Sequence, residues 1–201
     1  MLRNMKFDLA NNILGGNIPT CMGTSLSNLR FLFLGSNKLS GEITSSICQL
    51  SSLQILDISD NKLSGIIPWC VDNFTVMATK TNLPQFVREE LEYSFLMRAF
   101  LESVSVTTKG NEFQYDTILP LVTNIDLSKN NLSGDIPEEI TSLIELRSLN
   151  LSLNHFTGSI PDSIGNMKQM ESLDFSLNSL SGEIPSSFTS MSSLNYLNLL
   201  Q

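Results

Sequence analysis

The chain has 201 residues and a formal net charge of −8, from 12 Lys and Arg against 20 Asp and Glu. Such a balance lacks the basic face that general nucleic-acid binding needs, and no apolar run reaches the length of a membrane span. The opening stretch MLRNMKFDLANN also lacks the apolar core of a secretory leader.

Six asparagines recur along the chain: Asn12, Asn37, Asn61, Asn130, Asn154 and Asn178, at steps of 25, 24, 69, 24 and 24 residues. Each sits in one frame, L-x-x-L-x-L-x-x-N-x-L-S-G-x-I-P. In chain order, Phe7 and Leu9 precede Asn12, with Asn4 in the outer leucine position. Leu29, Leu32 and Leu34 lead to Asn37, and Leu53, Leu56 and Ile58 to Asn61. Val122, Ile125 and Leu127 lead to Asn130, Leu146, Leu149 and Leu151 to Asn154, and Met170, Leu173 and Phe175 to Asn178. Leu194, Leu197 and Leu199 open a seventh unit. This is the period and pattern of a leucine-rich repeat, in which no unit can bury its apolar face alone.

The frame has a physical reading. Two leucines alternating with other residues, as at Leu149 and Leu151, have the period of a strand. Stacked units place these strands in a parallel sheet, about 4.8 Å apart. Asn154 then stands where the chain turns, with an amide that can donate and accept to turn backbone groups. Gly158 suits a tight bend, and Ile160-Pro161 favours extended chain. The stretch PDSIGNMKQM reads as a helical or 3₁₀ return with Ile164, Met167 and Met170 facing the core. The predicted architecture is an α/β solenoid, a right-handed superhelix with a parallel inner sheet. Its divisions are residues 1–68 as repeats, 69–121 as an insertion and 122–201 as repeats cut short in the last unit. Solenoids carry polar-faced caps at their ends, and neither end here has one. The expectation is a fragment of a longer array, marginally stable alone.

The step of 69 residues exceeds one repeat by about 45. Within the insertion, LPQFVREELEYSFLMRAFL suggests a helix over part of its length. SVSVTTKGNEFQY alternates on both sides of Lys109-Gly110-Asn111, which predicts a β-hairpin. Long ordered inserts on a rigid scaffold tend to carry recognition.

Cys21, Cys48 and Cys70 all fall in return segments. Cys21 and Cys70 are equivalent positions two repeats apart, about 10 Å in a regular stack, beyond disulfide reach. Cys48 can reach only a partner in an adjacent repeat, leaving one thiol over. The preferred reading is three free thiols, buried or half-buried; there is no Cys-x-x-Cys pair for zinc. Three sequons mark glycosylation candidates, Asn73, Asn131 and Asn150. Asn150 points out of a strand, so a glycan there would cover part of the sheet.

One column of the sheet lies four residues before each ladder asparagine: Asp8, Phe33, Asp57, Asp126, Asn150, Asp174 and Asn198. Its acids read as part of the repeat consensus rather than as a cation site. Arg30, Phe31 and Phe33 on one strand and Tyr196 on the last are the binding candidates, as exposed aromatics that break the repeat. His155 is alone, so no triad or metal set can form around it. Glu89-Glu90 and Glu138-Glu139 read as solvated faces. No catalytic, cofactor-binding or metal-binding residue is assigned, and an enzyme is not expected.

The segments DLSKNNLSGDIPEEI and DISDNKLSGIIPWCVDNF resemble the plant extracellular leucine-rich-repeat family, and in particular its receptor-like proteins of the ethylene-inducing-xylanase receptor type. Segments similar to IPWCVDNFTVMA and ESVSVTTKGNEFQYDTILPLVTNIDLSKNNLSGDIPEEI lead into and out of an island in that family. The resemblance spans essentially the whole chain. It adds Lys109 and Gly110 as candidate contacts, together with Phe100, which stands where the family often has a Tyr nine residues before the Lys-Gly pair. It implies part of an ectodomain of a plasma-membrane receptor that lacks a kinase. Such a receptor reads a protein or peptide ligand and acts through a leucine-rich-repeat receptor kinase as co-receptor. Its membrane segment lies outside this sequence. The alternatives are the ectodomain of a receptor kinase, a secreted polygalacturonase-inhibitor-like protein, and a decayed gene product.

Overall fold

A computed structural model of the chain describes residues 6–79, 104–108, 111–115 and 122–201. Its strands, in chain order, are β1 (Lys6–Asp8), β2 (Gly15–Gly16), β3 (Phe31–Phe33), β4 (Lys38–Glu42), β5 (Ile55–Asp57) and β6 (Lys62–Gly65). There follow β7 (Val104–Thr108), β8 (Asn111–Tyr115), β9 (Asn124–Asp126), β10 (Asn131–Asp135), β11 (Ser148–Asn150), β12 (His155–Thr157), β13 (Ser172–Asp174) and β14 (Tyr196–Asn198). Seven of them form one parallel sheet in the order β1-β3-β5-β9-β11-β13-β14.

Each ladder asparagine from Asn37 onward holds two coils together. Asn154 shows the pattern: its Nδ2 donates to the carbonyls of Leu127 in the preceding coil, at 3.0 Å, and of Leu151 and Ser152 in its own. Its Oδ1 accepts from the backbone N–H of Leu132 at 3.0 Å. One amide thus supplies the partner of an N–H that would otherwise be buried unpaired and a second donor to carbonyls shared with the neighbouring coils. The residue before each of these asparagines turns through the left-handed region, with φ between 51° and 57° from Asn11 to Leu177.

The fold has a second parallel sheet that the repeat frame does not announce, in the order β12-β10-β6-β4-β2. Four of its five strands start one residue after the ladder asparagine, and β2 starts three after Asn12. Leu39, Leu63, Leu132 and Phe156 point into the core, while Lys38, Lys62, Asn131 and His155 face solvent. Gly158 makes the expected bend just past β12, while its counterparts Gly41, Gly65 and Gly134 lie within β4, β6 and β10. Gly158 has φ of 70°, and a Cβ there would lie 2.5 Å from Asp135 Oδ1, so only glycine fits.

The return segments are short helical turns. They are α1 (Cys21–Ser25), the 3₁₀ turns Ser45–Gln49, Trp69–Asn73, Glu138–Ser142, Asp162–Asn166 and Ser186–Ser190, and α2 (Thr75–Ala78). Ile164, Met167 and Met170 are fully buried, as the frame predicts. One continuous apolar core runs between the seven-stranded sheet and these turns.

The insertion begins later than the motif suggests. Trp69–Asn73 packs as the return turn of the third coil, and Cys70, Val71, Phe74 and Met77 all enter the core. The outer leucine position of the fourth coil is filled by Met77 and not, as the frame predicts, by Val122. In the regular coils the residue at that position donates its N–H to the carbonyl three residues back, as Leu53 does to Leu50 and Leu146 to Leu143; Met77 does so to Phe74 at 2.9 Å. Val122 joins a separate apolar group with Phe31, Phe33 and Ile55. Met77 stands sixteen residues after Asn61 and Val122 eight before Asn130, so either satisfies the frame. The longer side chain, preceded by a core-facing Phe74, fills the slot. The hairpin expected around residues 109 and 110 is present: β7 and β8 pair antiparallel, Thr108 opposite Asn111 and Val106 opposite Phe113. The expected helix and the site candidates Phe100, Lys109 and Gly110 lie outside the described residues.

The expectation of three free thiols is overturned. Cys48 and Cys70 form a disulfide between adjacent coils, with Cα atoms 5.8 Å apart, and Cys21 is free and exposed. Cys48 lies eleven residues after its ladder asparagine and Cys70 nine after its own, an offset that brings the two return turns face to face.

Candidate functional site

The candidate site is the open face of the seven-stranded sheet. Its strands are three residues long, so the first and third side chains face outward and the middle one enters the core. The register stacks Lys6, Phe31, Ile55, Asn124, Ser148, Ser172 and Tyr196 in one outward column. Asp8, Phe33, Asp57, Asp126, Asn150, Asp174 and Asn198 stack in the other.

The acid column has a structural role in every coil except that of Phe33. Asp57 Oδ1 accepts from the N–H and the hydroxyl of Ser59, at 3.0 and 2.6 Å. Asp126 and Ser128, Asn150 and Ser152, and Asp174 and Ser176 repeat this arrangement. Each side chain caps the turn that its strand runs into, and Asn serves as well as Asp. The repeat-consensus reading of this column therefore stands on geometry.

The face divides into two halves. At the β3–β9 end Phe31, Phe33, Ile55 and Val122 form an apolar group. The sequence places Phe31 and Phe33 as exposed aromatics; in the structure they are 2% and 4% exposed. Arg30 is half-buried, with its guanidinium 5.5 Å from the Phe31 ring centre, and burial lowers its pKa to about 10. Asp126 and Asn124 are buried beside this group, and Asn124 Oδ1 has no hydrogen-bond partner among the described residues. Burial, and next to it the neighbouring Asp57 carboxylate, raises the Asp126 pKa to about 6, against the opposing hydrogen bonds from Ser128 and Asn150. Asp57 is raised as well, chiefly by burial.

Toward β14 the face is polar and half open. Asp174 Oδ2 accepts from the Tyr196 hydroxyl at 3.3 Å and from Asn198 Nδ2 at 3.2 Å. Arg147 and Glu171 pair at 2.6 Å on the adjoining column. The β3 candidates and Tyr196 are thus at opposite ends of the face, five strand steps apart, or about 24 Å. Ile55, Asn124 and the Asp57–Asp126 pair were not singled out by sequence. For Ile55 and Asn124 the signal was the column six residues before each ladder asparagine, where apolar Phe31 and Ile55 give way to Asn124, Ser148 and Ser172; Asp57 and Asp126 stand in the column four before it, read as repeat consensus.

Among the described residues, no group of three or more His, Cys, Asp or Glu side chains is arranged to hold a metal ion, and no helix is long and apolar enough to cross a membrane. Of the glycosylation candidates, Asn73 and Asn131 are exposed and Asn150 is half-buried.

A stacked array of 24-residue coils with an asparagine ladder, a parallel inner sheet and 3₁₀ returns defines a leucine-rich-repeat protein. Residues 144–200 match a family model described as Leucine rich repeat, and residues 28–50, 52–74 and 121–143 match another, described as Leucine Rich Repeat. The chain belongs to the leucine-rich-repeat family, in its plant receptor-like protein branch. Receptor-like protein EIX2 of Solanum lycopersicum is 44% identical over 144 residues, 71% of this chain and 14% of that protein. Receptor-like protein EIX1 of the same plant is 43% identical over 140 residues, 68% of this chain and 14% of that protein. The chain therefore spans about one seventh of the length of these curated relatives. Among solved structures, a TDR receptor superposes with a TM-score of 0.72 at 28% identity, over 97% of this chain and 26% of that one. The ectodomain of the Arabidopsis receptor kinase HAESA, in complex with an IDA peptide hormone, does so with a TM-score of 0.67 at 26% identity, over 96% of this chain and 25% of that one. The fold is a binding scaffold and not an enzyme.

Proposed function

We propose that the chain is part of the ligand-recognition ectodomain of a plant cell-surface receptor that carries no kinase. It works on the extracellular face of the plasma membrane, in defence or development. It binds a protein or peptide ligand, of microbial or plant origin, and signals through a leucine-rich-repeat receptor kinase as co-receptor. The observation that carries this reading is the likeness to tomato receptor-like proteins over both flanks of a sheet that is unbroken where the chain is interrupted. β5 pairs directly with β9, so the open face offers one surface on both sides of the insertion. An inter-coil disulfide accords with an oxidising compartment.

In this reading the repeats of residues 1–68 and 122–201 flank the insertion of 69–121, whose first residues, through Ala78, close the third coil and whose remainder carries recognition. The insertion, with Phe100, Lys109 and Gly110, and the outer half of the face, with Tyr196, make the ligand and co-receptor contacts. Arg30, Phe31 and Phe33 contribute from the β3 end of the same face. The test is purification of the receptor bearing this chain from plant membranes and detection of a co-purifying receptor kinase. Recovery of the kinase that drops on excision of residues 78–122, or on Tyr196→Ala with Asp174→Lys, supports the reading. Recovery that survives both changes removes it.

A further inference from the structure

The three sequons present their acceptor amides to different surroundings. Asn131 opens β10 on the second sheet, and the same place in other coils is held by Ile13, Lys38, Lys62, His155 and Ser179, all exposed. That column accepts long side chains aimed at solvent, and the Asn131 amide makes no side-chain hydrogen bond among the described residues. Asn73 ends the return turn Trp69–Asn73 on the side of the molecule away from the open face, and it is exposed together with Thr75.

Asn150 differs. Its Oδ1 accepts from the Ser152 N–H at 3.1 Å and the Ser152 hydroxyl at 2.7 Å, and its Nδ2 donates to Asp126 Oδ2 at 3.3 Å. Ser152, the third residue of that sequon, is itself buried. The amide nitrogen that would carry a sugar faces a carboxylate in the next coil.

We infer that Asn73 and Asn131 carry N-linked glycans in the folded protein and that Asn150 does not, so that sugar coats the two outer sides and leaves the β11–β14 half of the open face bare for a protein partner. This rests on the extracellular reading above and goes further by assigning which surface stays free. The donor is a lipid-linked oligosaccharide diphosphate. The bond from sugar C1 to the diphosphate oxygen breaks, with its electron pair leaving on the diphosphate. Nδ2 forms the new bond to C1 and loses one proton. Transfer precedes folding, and a chain loaded at Asn150 keeps one N–H on Nδ2 but must fit a sugar beside Asp126, which brings bulk against a packed column. Such molecules drop out of the folded fraction.

The test is expression of the full chain behind a secretion leader in plant cells, isolation of the monomeric fraction, and enzymatic deglycosylation in heavy-oxygen water before peptide mass mapping. Heavy label at Asn73 and Asn131 with none at Asn150 is the expected result. Thr75→Ala and Ser133→Ala should each remove one glycan from the intact mass without touching either asparagine. Label at Asn150 in the monomeric fraction, or an unlabelled Asn131, overturns the assignment. The same peptides from the native receptor separate the two claims. Sugar on the leader-driven chain with a bare native chain upholds the site assignment and overturns the extracellular location.

Discussion

Asn130 donates its amide to the carbonyl of Ile58 at 3.0 Å, across 72 residues of chain. Its Oδ1 accepts from the N–H of Leu63 at 2.9 Å. Asn154 makes the same two bonds to Leu127 and Leu132 in the coil just before it. The insertion therefore leaves no mark on the ladder: the third and fourth coils stack as neighbours. Asn130 is buried, and truncation strands the Leu63 N–H in the interior and removes one of the two donors to each of the Ile58, Leu127 and Ser128 carbonyls. Asn130→Ala should cost about 3 kcal/mol or more in denaturant unfolding. Asn12, exposed and bonded only to Leu9 and Ala10 through its side chain, should cost less than about 1 kcal/mol.

The disulfide closes a separation of 22 residues between Cys48 and Cys70. Its removal by the pair Cys48→Ser and Cys70→Ser should lower stability by about 3 kcal/mol, chiefly by freeing the unfolded chain. Alkylation of the unreduced protein should modify Cys21 and no other cysteine. Mass mapping that finds Cys48 or Cys70 alkylated without reduction contradicts the pairing.

Asp126 makes stability depend on pH with a defined sign. Its folded pKa is raised to about 6, against about 3.9 for a free aspartate. The folded state then holds the proton over a range where the unfolded state has released it. Stability should be greatest near pH 4, fall as pH rises to about 6, and level off above that, by up to about 3 kcal/mol. Asp57, raised in the same direction by burial and coupled to Asp126, adds to the slope. Asp126→Asn keeps a cap of the kind Asn150 already provides and should flatten this part of the profile. An unchanged slope in the variant contradicts the role given to Asp126.

Much of the solenoid could be read from the chain. Leu149, Leu151 and Asn154 specify strand and turn by type and spacing alone, and Ile164, Met167 and Met170 face the core as the periodicity requires. The second sheet could not be read so directly. Four of its five strands begin at Lys38, Lys62, Asn131 and His155, one residue past the ladder asparagine, and the first three of these contain the glycine that resembles a strand breaker. The register ambiguity between Met77 and Val122 is of another kind, because both satisfy the leucine frame and only packing chooses. The same holds for the cysteines. A uniform stack keeps Cys21 from Cys70, but the two-residue offset that joins Cys48 to Cys70 depends on how consecutive return turns face each other. Of the open face, the column four residues before each ladder asparagine was legible, while the burial of Phe31 and Phe33 was not, because alternation says which side a residue points to and not how deeply it is buried.

Excision of residues 78–122 tests most directly whether the array is one body through its interruption. Joining Met77 to Thr123 removes forty-five residues and brings Asn61 and Asn130 to the 24-residue spacing of the other coils. Denaturant unfolding of this variant should show the same single cooperative transition as the intact chain, with the Cys48–Cys70 disulfide formed. Two separate transitions, or a variant that fails to fold while the intact chain folds, would show that the coils on either side do not stack on each other.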